Sequence, residues 1–271
     1  MPELPEVETT RRGIAPALLN RRIVAAIVRE RRLRWPISAS FEASVRDQTV
    51  RKVERRAKYI LIAFDAGTLI LHLGMSGSLS LQKAGALPKL HDHWDLVLDN
   101  GRLLRFHDPR RFGSLHWTDA DPELHPLLRC LAPEPLSLKF DAEYLYKASR
   151  KRKVAIKQFI MNSQAVVGVG NIYASEALFR ARIAPRRAAG RVSKAEAAKL
   201  ARSIKAVLSA AIKTGGTTLR DYRNVDGEPG YFRQKLYVYE RAGAPCRVCK
   251  SAIKQFTQGQ RSTYWCPTCQ R

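Results

Sequence analysis

Four of the chain's five cysteines fall in its last 26 residues, spaced Cys246-x2-Cys249-x16-Cys266-x2-Cys269. Two such knuckles can bring four thiolates onto one tetrahedral Zn2+ within a short ribbon hairpin. Two disulfides are the competing reading, but nothing marks the chain for export, and unexported thiols stay reduced. Cys130 is left over and reads as a small, buried apolar side chain. At the other end, removal of Met1, which the small neighbour Pro2 permits, would leave a secondary amine. An α-amino group with a pKa of about 7.7 to 8.0 is roughly one-tenth unprotonated at pH 7, far more than an ordinary lysine near 10.4. Pro2 is therefore a candidate nucleophile. Glu3, Glu6 and Glu8 follow it; judged locally, they read as carboxylates that stabilise the positive end of a helix dipole. Gly168-Val169-Gly170-Asn171 ahead of a helix could hold an anion on its backbone N–H groups, or could simply be a helix cap.

The elements that must carry these residues change texture along the chain. Residues 3 to 19 read as a helix with Pro5 tolerated in its first turn. From about 22 to 117 the pattern is short β-rich runs, among them Tyr59 to Phe64, Thr68 to Leu73, Asp95 to Leu98 and Arg102 to Phe106. The last two flank Asn100-Gly101, a hairpin signal, and the region reads as a β-sandwich or flattened barrel. Residues 118 to 140, with Pro122, Pro126, Pro133 and Pro135, read as a linker to a second, helical domain. There, Ser193 with Glu196 forms a capping box, apolar residues recur at helical spacing through Ile212, and Gly215 stops the helix, which predicts 194 to 214. A polar, glycine-bearing loop over 215 to 230 precedes the cysteine ribbon.

Lys and Arg total 48 against 24 acidic residues in a chain of 271, a net charge of +24. Small soluble domains usually carry a magnitude of about 2 to 8, so a polyanionic partner is expected. The excess is spread over both halves, which favours nucleic acid over a membrane surface. With 45% hydrophobic residues and no long apolar run, disorder and membrane spanning are both excluded, and the acidic start does not resemble a secretion signal. A soluble, cytoplasmic protein is the expectation.

The opening Pro2-Glu3-Leu4-Pro5-Glu6-Val7-Glu8-Thr9 resembles the N-terminus of the bacterial formamidopyrimidine-DNA glycosylases, repair enzymes also called 8-oxoguanine DNA glycosylases. Matching segments continue as Arg56-Ala57-Lys58-Tyr59, His72-Leu73-Gly74-Met75-Ser76-Gly77 and Asp108-Pro109-Arg110-Arg111-Phe112-Gly113. Val167 to Glu176 and the four-cysteine ribbon complete a resemblance that runs the whole chain in order. It implies an α+β fold. An N-terminal catalytic β-sandwich with its helix (1–117) would be followed by a linker (118–140). A helix-two-turn-helix domain with a lesion-capping loop (141–230) and a zinc finger (231–271) would complete the chain.

The resemblance also implies roles. Pro2 would attack the sugar of a damaged nucleotide and form a Schiff base, with Glu3 as general acid, Glu6 as a helper and Lys58 at the lesion's phosphate and sugar. Arg261 in the ribbon would bind phosphates flanking the lesion and assist δ-elimination. Met75, Arg110 and Phe112 would fill the space of an extruded nucleotide, Arg110 bonding the orphaned cytosine. Arg152, Lys153, His91 and Asn171 would lie on backbone phosphates, while the rest of the 150–157 basic cluster reads as a solvated face. The loop Thr217 to Tyr231 would cap the lesion. The expected activity is a monomeric, bifunctional glycosylase and abasic-site lyase on duplex DNA that bears an oxidised purine or an abasic site, with one structural Zn2+. By themselves, Met75 and Phe112 read as core, Arg261 as a surface cation and Lys58 as a strand-end charge.

Two rivals remain on sequence grounds. The sister family, endonuclease VIII, prefers oxidised pyrimidines and opens Pro-Glu-Gly-Pro-Glu, whereas Leu4 stands here. A non-catalytic zinc-ribbon binder would account for the charge and the cysteines but not for the acidic, proline-headed terminus.

Overall fold

The computed structural model describes residues 2–216 and 236–271, so the expected lesion-capping loop lies outside the described residues. The chain forms two compact units that divide between Arg129 and Cys130. The first also takes in the described residues from Thr214 to Gly216, and the second runs through Lys213 and resumes with the C-terminal segment.

The first unit opens with helix α1 (Leu4–Leu18), in which Pro5 needs no N–H because it sits in the first turn. Two four-stranded antiparallel sheets follow. One is built from β1 (Ile23–Val28), β6 (Asp92–Leu98), β7 (Arg102–His107) and β5 (Ser78–Lys83), in that order. The other runs β2 (Lys52–Arg56), β3 (Tyr59–Ala63), β4 (Thr68–His72) and β8 (Ser114–Thr118). The turn between β6 and β7 carries Gly101 at φ +73°, the left-handed conformation that Asn-Gly favours. Inward-facing Ile60, Ile62, Leu69, Leu71, Trp94, Leu96, Leu104 and Phe106 interleave with Val7, Ile14 and Leu18 of α1 into one core. A short helix, α2 (Phe41–Val45), adds Phe41 and Val45 to it.

In the second unit, α3 (Ala142–Ser149), α4 (Ile156–Met161), α5 (Asn171–Ala181) and α6 (Lys194–Lys213) pack as helices, and β9 (Lys254–Gln258) pairs with β10 (Arg261–Trp265) in the ribbon. The box before α6 forms as its sequence predicts. Glu196 N–H donates to the Ser193 hydroxyl at 3.2 Å, and Ser193 N–H donates to the Glu196 carboxylate at 2.9 Å. Gly215 and Gly216 then leave the helix at φ +75° and +84°. Cys130 departs from expectation: it is exposed, because the preceding Leu128 supplies the buried apolar side chain of that turn. Among the described residues, no helix is long and apolar enough to cross a membrane.

Candidate active site and nucleic-acid interface

Strand register gathers the first unit's candidate residues. In one sheet Tyr59 pairs with His72, and His72 with Ser114, so Lys58, the segment after His72 and the segment before Ser114 share one end of that sheet. In the other sheet His107 pairs with both Ser78 and Asp92, which likewise aligns the segments leading into Ser78 and Asp92 with the one leaving His107. The connections β4–β5 and β7–β8 each pass from one sheet to the other at these ends. They carry Met75 and Arg110 to Phe112, respectively, and His91 immediately precedes β6.

At the start of α1, Glu3 is 2% exposed and Glu6 1%, directly after the buried Pro2. Glu6 accepts a hydrogen bond from Glu3 N–H at 2.9 Å, half of a capping box. Gly216, at φ +84°, brings its backbone so close that a Cβ there would lie 3.1 Å from Glu6 Oε1. Helix α1 is tied to the β2–β3 hairpin through Glu8. That carboxylate accepts bonds from Arg11, Arg12 and Arg55, while Arg55 also donates to the Ala57 carbonyl at 2.8 Å. Burial alone would raise the Glu8 pKa, but the bonds from Arg11 and Arg12 outweigh it and hold the carboxyl below its ordinary value. Lys58 occupies the two-residue turn of this hairpin, beside Ala57 at φ +55°.

His72 closes the same end of the sheet. Its ring packs on Tyr59, with centroids 4.8 Å apart, and its Nδ1 accepts a hydrogen bond from Gly74 N–H at 2.9 Å. Burial, followed by the positive charges of Lys58 and Arg34, pushes its pKa down to about 4, so the ring is neutral at pH 7 and carries its proton on Nε2. Beyond it, Met75 is 38% exposed and Phe112 41%, with the Arg110 guanidinium 4.9 Å above the Phe112 ring. These large apolar side chains at two turns are exposed and do not fill the core. His91 is partly exposed at φ +73°.

The second unit holds the other candidates. Arg152 and Lys153 are exposed on the α3–α4 connection, and Arg261 is exposed at the first position of β10. Asn171 begins α5, but its side chain is engaged inside the fold: Nδ2 donates to the Ser262 carbonyl at 3.0 Å, and Oδ1 accepts from Lys157 at 2.6 Å. Lys157 corrects the sequence reading of that cluster, because it is buried and not solvated. Its ammonium donates to Asn171 Oδ1, to Thr263 Oγ1 at 2.7 Å and to the Ser262 carbonyl at 3.2 Å. It thus fastens the strand that carries Arg261 to the first turn of α5. Glu176 is another buried polar position without a local signature. Its buried carboxylate accepts 2.9 Å bonds from the N–H groups of Tyr237, Val238 and Tyr239, fixing the chain as it enters the ribbon. Burial pushes its pKa up despite those bonds.

The sulfurs of Cys246, Cys249, Cys266 and Cys269 all lie within 4.8 Å of one another, with Cys246 and Cys266 buried. The Cys246–Cys269 and Cys249–Cys266 separations, 4.0 and 3.4 Å, bracket the roughly 3.8 Å edge of a tetrahedron with Zn–S of about 2.3 Å. The donor set fits one structural Zn2+, with no position left open for substrate.

Family models match three successive segments: the formamidopyrimidine-DNA glycosylase N-terminal domain over residues 1–115, the H2TH domain of the same enzymes over 131–223, and the zinc finger found in FPG and IleRS over 243–271. The formamidopyrimidine-DNA glycosylases of Thioalkalivibrio sulfidiphilus and Methylococcus capsulatus are 58% and 56% identical, with full coverage of both chains. Among solved structures, MutM (Fpg) from Thermus thermophilus is similar with a TM-score of 0.90 at 38% identity, covering 99% of this chain and 98% of that one. Lactococcus lactis Fpg in complex with abasic-site DNA is similar with a TM-score of 0.91 at 29% identity, covering 99% of each chain. The chain belongs to the formamidopyrimidine-DNA glycosylase family.

Proposed function

We propose that this protein excises oxidised purines, 8-oxoguanine and formamidopyrimidines, from duplex DNA through a Schiff base on Pro2, and then nicks the strand by β,δ-elimination. The observation that carries the reading is the burial of Glu3 and Glu6 directly beside Pro2. A carboxylate that merely serves a helix dipole gains about 0.3 to 1 kcal/mol and does so at the surface. Burying an ionised carboxylate costs several kcal/mol before its bonds are counted, so dipole stabilisation does not account for two of them. Family membership and the solved complexes of Lactococcus lactis Fpg with abasic-site and Fapy-dG DNA support the same reading.

In the proposed sequence, the unprotonated Pro2 nitrogen forms a bond to C1′ of the extruded nucleotide as the bond from C1′ to the damaged base breaks, and the departing base takes up the proton that the secondary amine loses. Glu3 protonates the sugar ring oxygen as the ring opens, which leaves an iminium ion on Pro2. That cation acidifies C2′; loss of a C2′ proton then expels the 3′ phosphate, with Lys58 beside the sugar and phosphate. Glu6 holds the helix cap that presents Glu3. Extrusion costs a few kcal/mol of stacking and pairing, which insertion of Met75, Arg110 and Phe112 partly offsets. Bound zinc would hold the ribbon folded and thereby fix Arg261, which would grip phosphates flanking the lesion and assist the second elimination. His91, Arg152 and Lys153 would grip the backbone, and the first turn of α5 at Asn171 would offer N–H groups to a phosphate.

Borohydride trapping tests this. Wild-type protein should be captured covalently on a duplex with 8-oxoguanine opposite cytosine, and Pro2→Gly, which leaves a primary amine, should be captured more slowly. Capture only on oxidised pyrimidines would move the protein to endonuclease VIII specificity, and no capture at all would leave a binding protein.

A further inference from the structure

We propose that Asp108 is the positioning residue of the nucleotide-extruding wedge, locking the Met75 turn, the Arg110–Phe112 turn and the His91 corner into one block before DNA arrives. The inference rests on the assignment of those segments to the DNA face made above, and it concerns a residue to which that mechanism gives no part.

Asp108 is completely buried. One carboxylate oxygen, Oδ1, accepts the Ser76 hydroxyl at 2.7 Å and the Arg110 N–H at 3.3 Å; the other, Oδ2, accepts the Gly113 N–H at 2.8 Å. Its own N–H donates to the His91 carbonyl at 3.0 Å, and its carbonyl accepts Arg111 N–H at 3.2 Å and lies 2.7 Å from His93 Nε2. A single residue therefore touches every first-unit segment assigned to DNA apart from the catalytic terminus and Lys58.

Two features separate this from an ordinary turn staple. An Asp that stabilises only its own turn needs the bonds to Arg110 and Gly113; the bond from Ser76, 32 residues upstream, adds nothing to that turn. What it adds is a rigid link to Met75, the next residue. The second feature is close packing. A Cβ on Gly74 would lie 2.4 Å from Gly113 N and from the Phe112 carbonyl carbon, and one on Gly113 would lie 2.5 Å from the Phe106 ring and 3.1 Å from Asp108 Oδ2. The two turns meet backbone to backbone, with no side chain between them to adjust. Fully satisfied buried polar networks stiffen what they join, and a preformed wedge avoids ordering two loops at the moment the base pair opens.

The test uses Asp108→Ala, Asp108→Asn and Ser76→Ala on two substrates: the 8-oxoguanine:cytosine duplex, and a single-stranded abasic oligonucleotide, which has no pair to open. Asp108→Ala should slow single-turnover excision from the duplex on the order of tenfold to a hundredfold, while trapping on the single strand stays within about twofold of wild type. Asp108→Asn should recover only part of the duplex rate: its amide oxygen can accept from Gly113 and its NH2 can donate to the Ser76 oxygen, but that NH2 cannot accept the Arg110 N–H. Ser76→Ala should fall between wild type and Asp108→Ala. Equal losses on both substrates, or none on either, would overturn the proposal. If melting shows that Asp108→Ala does not fold, Ser76→Ala decides: duplex excision at the wild-type rate overturns the proposal, and a selective loss supports it. Wild-type protein inert on both substrates would overturn the functional reading, and this inference with it.

Discussion

At the scale of the residue, buried polar groups do the organising, and His72 is the one whose protonation is most plainly consequential. Its ring accepts the Gly74 N–H and lies near Lys58, so a proton on Nδ1 would break that bond and set two cations against each other. With a folded pKa of about 4 against 6.5 unfolded, the unfolded chain takes up the proton first. The stability contributed by neutral His72 is therefore complete above pH 6.5 and is lost as the pH falls through 4. The loss should be on the order of 2 kcal/mol once screening at the partly exposed ring is allowed for. Melting temperatures measured from pH 7.5 to 4 should fall less steeply in His72→Asn than in wild type. Parallel profiles would show that this histidine is not held neutral. The same scale explains what the sequence concealed. Lys157 stands in a run of surface cations, and partners 14, 105 and 106 positions away make it a buried clamp. Asp108 and Glu176 were visible as members of matching segments, but their bonds reach 32 positions back and about 60 forward, beyond any local pattern. Cys130 shows the opposite error, in which residue type suggested burial and local chain path denied it.

Among the elements, those with strong punctuation were legible and those defined by pairing were less so. Ser193, Glu196 and Gly215 bracket α6 by their own chemistry, and Asn100-Gly101 fixes the β6–β7 hairpin. That the runs after β4 and β7 meet is a matter of register between strands distant in sequence, which alternating hydrophobicity cannot specify. The ribbon was legible because metal coordination imposes its own spacing. Phe179, Val238 and Ile253 pack around Cys246 and Cys266, but this cluster is small, so zinc carries much of the ribbon's stability. A divalent cation bound there would hold all four cysteines as thiolates, which their closeness alone would oppose. Chelation should release one zinc per chain and abolish amide protection in the ribbon, while the sandwich core of Ile60, Leu71, Trp94 and Phe106 stays protected. Hydrogen exchange followed by mass spectrometry reads both, and simultaneous loss of protection in the two regions would contradict separate stabilities.

For the whole molecule, the surplus of +24 and the matching of three successive family segments agree on a nucleic-acid enzyme. Charge alone would bring the chain to any polyanion; in the proposed mechanism it is the buried acidic terminus, with a secondary amine once Met1 is gone, that directs it to chemistry. The candidate nucleophile Pro2 could be named from its own chemistry, whereas the roles of Glu3 and Glu6 came from the resemblance, because locally they read as dipole-stabilising carboxylates. Apart from the anion-holding turn at Gly168 to Asn171, the wedge and the phosphate contacts could be named only by resemblance, because each isolated residue has a commoner structural explanation. The central claim is that the terminal nitrogen, and no lysine, makes the bond to DNA. It is tested most directly by reducing the enzyme on an 8-oxoguanine duplex, digesting the adduct and sequencing the modified peptide by tandem mass spectrometry. The account predicts a deoxyribose remnant on Pro2 in a chain lacking Met1; a remnant on Lys58, or efficient capture by protein that retains Met1, would contradict it.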